Sequence, residues 1–195
     1  MTKDEKAKQY ETLAKEIASV IEGEDNLTAR MATVSNILHH GFEYYFWTGF
    51  YVVDPNKSDE LVIGPYQGTL GCLRIPFGRG VCGTVASTKM TQVIEDVHAF
   101  PGHIACDARS ESEIVVPVLD KNGVLIAVLD VDSDKPAMFD QVDQVGLESI
   151  VIIFIDAATI PLIFAQSGFC ILNKTAKINW VVEIGQGNNA DTCAA

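Results

Sequence analysis

Positive charge is scarce in this chain. Fourteen lysines and arginines stand against 26 aspartates and glutamates, a formal net charge of −12. Phosphate backbones and anionic bilayers are held by basic faces, so this balance argues against nucleic acid and against a membrane surface as partners. Cysteine is sparse as well: five in 195 residues is far below the density of a disulfide-stapled secreted domain. The composition suits a reducing, cytoplasmic setting in which any disulfide is transient. Residues 1–6 are charged and hold no apolar stretch, so no secretory signal is legible there. A membrane helix needs about 20 clean apolar residues. The nearest approaches, 150–155 and 160–165, are interrupted by Asp156 and Pro161. Internal repeats and low-complexity tracts are lacking too.

What remains is a chain with 48% hydrophobic residues, enough to fill one domain core. Ala7, Tyr10, Leu13, Ala14, Ile17 and Ile21 recur at helical spacing, which predicts a helix over 4–21. Gly23-Glu24-Asp25-Asn26 breaks it. A second helix fits 28–40, with Thr28 as its cap. The pattern then changes to aromatic and β-branched residues, and 44–53 reads as a strand. A turn at Asp54-Pro55-Asn56 leads to a strand near 61–63. Short extended pieces follow near 72–76 and 91–94, with a turn or two of helix between them at 81–87. Two β-rich runs, 114–119 and 124–131, are joined by Asp120-Lys121-Asn122-Gly123, and Asn-Gly in that setting is a hairpin signal. A closing helix fits 139–154, capped by Asp140. The sum is an α+β fold, a central antiparallel sheet flanked by N- and C-terminal helices. Residues 1–154 form the domain, and 155–195 read as a C-terminal extension without a motif. The apolar stretch 150–165 is suited to cover apolar surface or to make a homodimer contact.

Three motif matches fail on inspection. Gly78-Arg79-Gly80-Val81-Cys82-Gly83 fits G-x-G-x-x-G, but the βαβ context and the acidic residue about 20 positions on are missing. Asp130-Val131-Asp132-Ser133-Asp134 begins like a calcium loop. Lys135 stands where that loop needs glycine and Gln141 where it needs its last ligand. Cys72, Cys82, Cys106, His98 and His103 offer zinc donors, yet the cysteines are ten and twenty-four residues apart rather than closely paired. No metal and no cofactor is therefore expected.

Two groups of residues hold chemistry. The first is Cys72, Cys82 and Cys106 within one run. Cysteine is either a small packing residue or a reactive thiol, and the residues alone leave both open. The second is Glu113 with Asp130 and Asp132. Period two puts the two aspartates on one face of a strand. They are either a solvated strand end or a pair that meets a cation, because burying them unpaired is costly. Trp47 and Tyr51, four apart on a strand, also share a face.

Several segments together resemble the free methionine-(R)-sulfoxide reductases, single GAF-domain enzymes. They are Trp47-Thr48-Gly49-Phe50-Tyr51, Gly64-Pro65-Tyr66-Gln67-Gly68, Cys72-Leu73-Arg74-Ile75 and Gly80-Val81-Cys82-Gly83. Asp96-Val97-His98 and the runs 100–107, 112–117 and 129–133 complete the set. The resemblance is dense from Trp47 to Ser133 and extends over 1–154. The 155–195 extension departs from the family pattern. The resemblance implies a GAF fold and reduction of free methionine-(R)-sulfoxide, with thioredoxin as reductant. It implies Cys106 as the attacking thiol, Cys72 as the main resolving thiol and Cys82 as a third cysteine that resolves or relays. It also implies an aromatic wall of Trp47 and Tyr51 for the sulfoxide methyl group, and an ammonium site of Glu113, Asp130 and Asp132. Physically the scheme is coherent. A thiolate attacks the protonated sulfoxide, leaving a sulfenic acid that a second thiol converts to a disulfide. Two readings from other classes remain: a non-catalytic GAF module that senses a small molecule, and a zinc-stabilised structural domain. Elemental analysis tests the second.

Overall fold

The computed structural model describes residues 1–104 and 106–155. The expected extension, including Cys170 and Cys193, lies outside the described residues beyond Ile155. Among the described residues six strands form one sheet in the order β3-β2-β1-β6-β5-β4: β1 Trp47–Asp54, β2 Lys57–Gln67, β3 Arg74–Pro76, β4 Gln92–Ile94, β5 Ser112–Leu119 and β6 Leu125–Ser133. Every neighbouring pair is antiparallel. Among the described residues four α-helices accompany it: α1 Lys3–Val20, α2 Leu27–Gly41, α3 Gly80–Thr88 and α4 Gln141–Ile155.

Alternation along the strands sorts the sheet into two faces. Phe50, Leu129, Val131, Ile114 and Val116 point to one side. There they pack with Tyr10, Leu13 and Ile17 of α1, Met31, Val34 and Leu38 of α2, and Leu147, Ile150 and Phe154 of α4. Their neighbours in sequence, Tyr51, Val128 and Val115, point to the other side and meet Val81, Cys82, Val85 and Ala86 of α3. The first face holds the main core. The second is covered by one short helix and by loops, which leaves room for a pocket.

Local chemistry explains the helix ends. Thr2 and Glu5 form a capping box at the start of α1. Asn26, not the expected Thr28, caps α2: its side chain accepts from the Ala29 N–H at 3.0 Å. Thr28 lies one residue inside the helix and so cannot cap it. Asp140 performs the expected capping of α4, accepting from the Val142 N–H at 2.7 Å, while its own N–H donates to Asp143 at 2.8 Å. Asp143 is fully buried and also accepts from Tyr10 and Tyr44, and it pairs with Lys6 at 2.5 Å. Every group in that buried cluster is matched, the condition for keeping charge in a core.

Three expectations are refined. The first strand begins at Trp47 rather than at residue 44, because Tyr44 and Tyr45 leave the sheet to stack with Phe42 in the main core. β2 runs eleven residues, longer than the expected 61–63, because its polar first half is an exposed strand end that carries little hydrophobic pattern. Ile150, Ile153 and Phe154 are buried in their own domain while Ile152 is 38% exposed, so most of 150–154 covers the domain's own apolar surface. Among the described residues no helix is long and apolar enough to cross a membrane.

Candidate active site

The pocket lies on the α3 face of the sheet, and strand register brings its walls together. Trp47 pairs with Asp132 and Gly49 with Asp130 across β1 and β6. Glu113 pairs with Asp132 across β5 and β6. The aromatic residues and the carboxylates of the sequence analysis therefore share one face, and all five line the pocket together with Cys82 and Cys106.

The aromatic wall is a stack. The Trp47 ring lies 5.6 Å from Tyr51 and 5.2 Å from Tyr66, with interplanar angles of 20° and 15°. Gly49 permits it: a Cβ there would come within 2.3 Å of Tyr66 and 2.8 Å of Trp47. Trp47 Nε1 donates to the Thr69 carbonyl at 3.0 Å, which fixes the indole edge. Tyr51 is 2% exposed, and burial, followed by the charge of Asp130, pushes its phenol far above the usual range.

Opposite the rings stand the acids. Glu113 and Asp130 are 6% and 5% exposed, while Asp132 keeps partial contact with solvent at the rim. Burial first, and then the charges of Asp130 and Asp132, push the Glu113 carboxyl well above its normal value. Burial pushes Asp130 up to about 7, moderated by hydrogen bonding to Cys82 and Glu113. Asp132 is raised by burial and by Asp130, with Ser110 pulling the other way. Like charges this close titrate as a set, so the cluster retains at least one proton near neutrality. Asp130 Oδ1 has no hydrogen-bond partner although it is buried. An unpaired buried acceptor is costly, and a donor delivered by a ligand relieves it.

Glycine places α3 over this cluster. Gly80 begins the helix at φ 61°, and a Cβ on Gly83 would lie 2.3 Å from the Pro76 carbonyl. The G-x-G-x-x-G match is thus a close helix–strand approach. It seats Cys82 at 4% exposure with its thiol 3.8 Å from Glu113 Oε1. Burial, then the charges of Asp130 and Glu113, push the thiol well above its usual value, so it stays protonated. The failed calcium match also has its reason, since Asp130, Asp132 and Ser133 belong to a strand and no loop surrounds them. Cys82, Glu113 and Asp130 do have donor atoms within 4.8 Å of one another. Two of them, Cys82 and Glu113, are already hydrogen-bonded to each other inside the pocket.

The other two cysteines are bonded to each other. Cys72 and Cys106, 34 residues apart, form a disulfide with Cα atoms 5.1 Å apart. Cys72 lies in the loop between β2 and β3, and Cys106 in the loop before β5. The two loops meet over the pocket, with Cys106 exposed and Cys72 half-buried. The three cysteines thus divide into a disulfide-bonded pair at the pocket rim and a buried, protonated third. A redox-active pair at the rim of a pocket with an aromatic wall and a proton-holding acid cluster is equipped for thiol-dependent reduction.

A family model for the GAF domain matches residues 10–153. The chain is 44% identical over 146 residues to the free methionine-R-sulfoxide reductase of Escherichia coli, a match covering 75% of this chain and 86% of that one. The chain belongs to the free methionine-R-sulfoxide reductase family of GAF domains. The solved reductase of Neisseria meningitidis in complex with its substrate superposes with a TM-score of 0.74 at 45% identity, over 78% of this chain and 89% of that one. GAF domain-containing protein A of Dictyostelium discoideum is 47% identical over 150 residues, 77% of this chain and 92% of that protein.

Within this reductase family framework, the structure brings all eight sequence-derived site residues to one place. Sequence reasoning missed Tyr66 in the stack, Ser110 beside Asp132, and the Thr69–Asp107 contact between the two cysteine loops. Gly49 inside a strand signalled the first, because a mid-strand glycine marks a close approach. The other two lie on irregular loops, where periodicity has nothing to report.

Proposed function

We propose that this protein reduces free L-methionine-(R)-S-oxide to L-methionine. The observation that carries the reading is the Cys72–Cys106 disulfide at the rim of a pocket holding Trp47, Glu113 and Asp130. The Cys106 thiolate attacks the sulfoxide sulfur while the acid cluster protonates the departing oxygen. In the resulting sulfur–sulfur adduct the protonated oxygen passes to the Cys106 sulfur as the sulfur–oxygen and sulfur–sulfur bonds break, so methionine leaves with the electron pair and Cys106 is left as a sulfenic acid. The Cys72 thiol then attacks the Cys106 sulfur, water leaves, and the disulfide forms. A dithiol protein of the thioredoxin class restores both thiols and is itself oxidised to a disulfide. Cys82, buried and protonated, serves as a hydrogen-bond neighbour of Glu113 rather than as the resolving thiol. Trp47 and Tyr51 receive the S-methyl group. Asp132 and Asp130 face the substrate ammonium, and Glu113 is the preferred proton donor. A cytoplasmic setting, where such dithiol reductants keep thiols reduced, belongs to the same proposal.

Purified protein incubated with dithiothreitol and separated diastereomers should consume the R form and leave the S form. Equal consumption sinks the reading. N-acetylation removes the ammonium, and a hydrogen bond to a charged group is worth roughly 1.5–3 kcal/mol. The N-acetyl compound should therefore lose more than about tenfold in kcat/KM. Turnover of both compounds at one rate would remove the ammonium site and point to a protein-repair reductase.

Residues 155–195 belong to the proposal as a dispensable extension. A chain ending at Phe154 should keep its KM for the free sulfoxide, since every pocket residue among the described residues precedes it. A folded truncation that loses activity would assign the extension a part in the site. A fall in mass by light scattering from dimer to monomer would assign it the homodimer contact.

A further inference from the structure

The two loops that carry the redox pair are joined by more than their sulfur atoms. Thr69, three residues before Cys72, donates from Oγ1 to Asp107 Oδ2 at 2.7 Å, and Asp107 directly follows Cys106. Arg109 grips the same carboxylate through its backbone N–H and Nε, both at 3.0 Å, and its terminal nitrogen at 2.8 Å. Both ends are anchored at Phe46 and Trp47, where the first strand begins. The Arg109 guanidinium lies 4.7 Å over the Phe46 ring, and the Trp47 indole holds the Thr69 carbonyl. None of these contacts uses a sulfur atom.

We propose that Thr69 and Asp107 are positioning residues for disulfide closure, latching the Cys72 loop to the Cys106 loop in the reduced enzyme. The proposal rests on the reductase reading given above. Without the S–S bond the loops between β2 and β3 and before β5 have little regular structure to hold them. The rate at which Cys72 meets the sulfenic acid then depends on its effective concentration, which a short tether raises. Arg109 first, and the Thr69 hydroxyl second, hold the Asp107 carboxyl well below the usual carboxylate range, so the acceptor stays charged at every working pH. Fast closure also protects Cys106, because a sulfenic acid left waiting is oxidised further to sulfinic acid.

The test uses the full chain with Thr69→Val, which keeps shape and deletes the donor, and Thr69→Ser, which restores it. Reduced protein receives one equivalent of hydrogen peroxide, which converts the Cys106 thiolate to sulfenic acid and releases hydroxide. The mixture is quenched over time with dimedone, and mass spectrometry reads adduct against disulfide. Closure should slow about tenfold in Thr69→Val and return in Thr69→Ser, the size of one charge-assisted hydrogen bond partly open to solvent. In dithiothreitol buffers the Cys72–Cys106 couple of Thr69→Val should shift by about 30 mV toward easier reduction, the equivalent of that tenfold. Wild-type closure and potential in Thr69→Val would overturn the latch, as would Thr69→Ser behaving like Thr69→Val. Should Thr69→Val not fold, Asp107→Asn, which loses the charge Arg109 holds, must show slowed closure, and normal closure there overturns the proposal. The peroxide and potential measurements need no methionine sulfoxide. Failure of wild-type protein to make methionine would therefore remove the reductase reading and leave the latch to be judged on its own.

Discussion

Cys106→Ser should make no methionine at all, not even one equivalent per protein. The first bond in the proposed sequence joins a sulfur of the enzyme to the substrate, and among the described thiols only Cys106 is exposed at the pocket. Cys82 cannot take over, because burial and the acids around it keep it protonated, and the thiolate is the nucleophile. A serine hydroxyl is far less acidic than a thiol and cannot carry oxygen as a sulfenic acid. Cys72→Ser behaves differently. It should release about one equivalent of methionine and then stall with a thioredoxin-type reductant, whose attack requires a disulfide. Dithiothreitol reduces sulfenic acid directly, so turnover should return with it. Rapid-quench measurement of methionine, with mass spectrometry of the enzyme, reads both outcomes. A single turnover by Cys106→Ser would reverse the roles, and steady thioredoxin-dependent turnover by Cys72→Ser would give the resolving step to Cys82.

Glu113→Gln should lower kcat/KM by about 10²–10⁴, the range for a positioned general acid. Glutamine keeps the size of the side chain and still accepts from the Cys82 thiol, but it has no carboxyl proton to deliver. The pH profile separates chemistry from damage to the fold. With a raised carboxyl as donor, the reaction proceeds while the cluster is protonated and declines as pH rises through its deprotonation. Asp130 marks where that decline begins, at about 7, and Glu113, pushed well above its normal value, extends it upward. Wild-type kcat should thus fall on the alkaline side once allowance is made for the rising thiolate fraction of Cys106. In Glu113→Gln the remaining activity should follow the two aspartates, Asp130 and Asp132, which still titrate as a pair. Iodoacetamide labelling of reduced Cys106 should be unchanged, because that thiol lies on the loop and not in the cluster. Activity within tenfold of wild type at neutral pH would assign the proton to Asp130.

The parts of the molecule that repeat at short range were legible in the chain. Helical spacing located α1, Asp140 marked the start of α4, Asn122-Gly123 announced the β5–β6 hairpin, and period two put Asp130 on one face with Asp132 and Trp47 on one face with Tyr51. Those signals need only neighbours within a few residues. Thr28 was misassigned as a cap because two polar residues compete at one helix start, and backbone geometry, not composition, selected Asn26. The eight site residues were recognised through resemblance to a family. Their chemistry, by contrast, was not readable from the residues themselves. A thiol on an apolar segment is equally a packing atom or a nucleophile, and a carboxylate at a strand end is equally solvated or buried.

Tertiary structure decided between those readings, because each depends on what comes from elsewhere in the chain. Trp47 meets Asp132 only because β1 lies beside β6 in the sheet order, across 85 residues of sequence. Cys72 reaches Cys106 because two irregular loops fold over the same face. Cys82 remains a thiol because α3 closes on β3 through Gly83 and shuts water away from it. Glu113 keeps a proton because β5 sets it opposite Asp132 inside a pocket where charge is poorly solvated. The sequence by itself determined which groups were available and on which face of which strand they would stand. Burial and long-range register determined which of them are acids, which are nucleophiles and which only pack, since desolvation and proximity set those properties and neither is local.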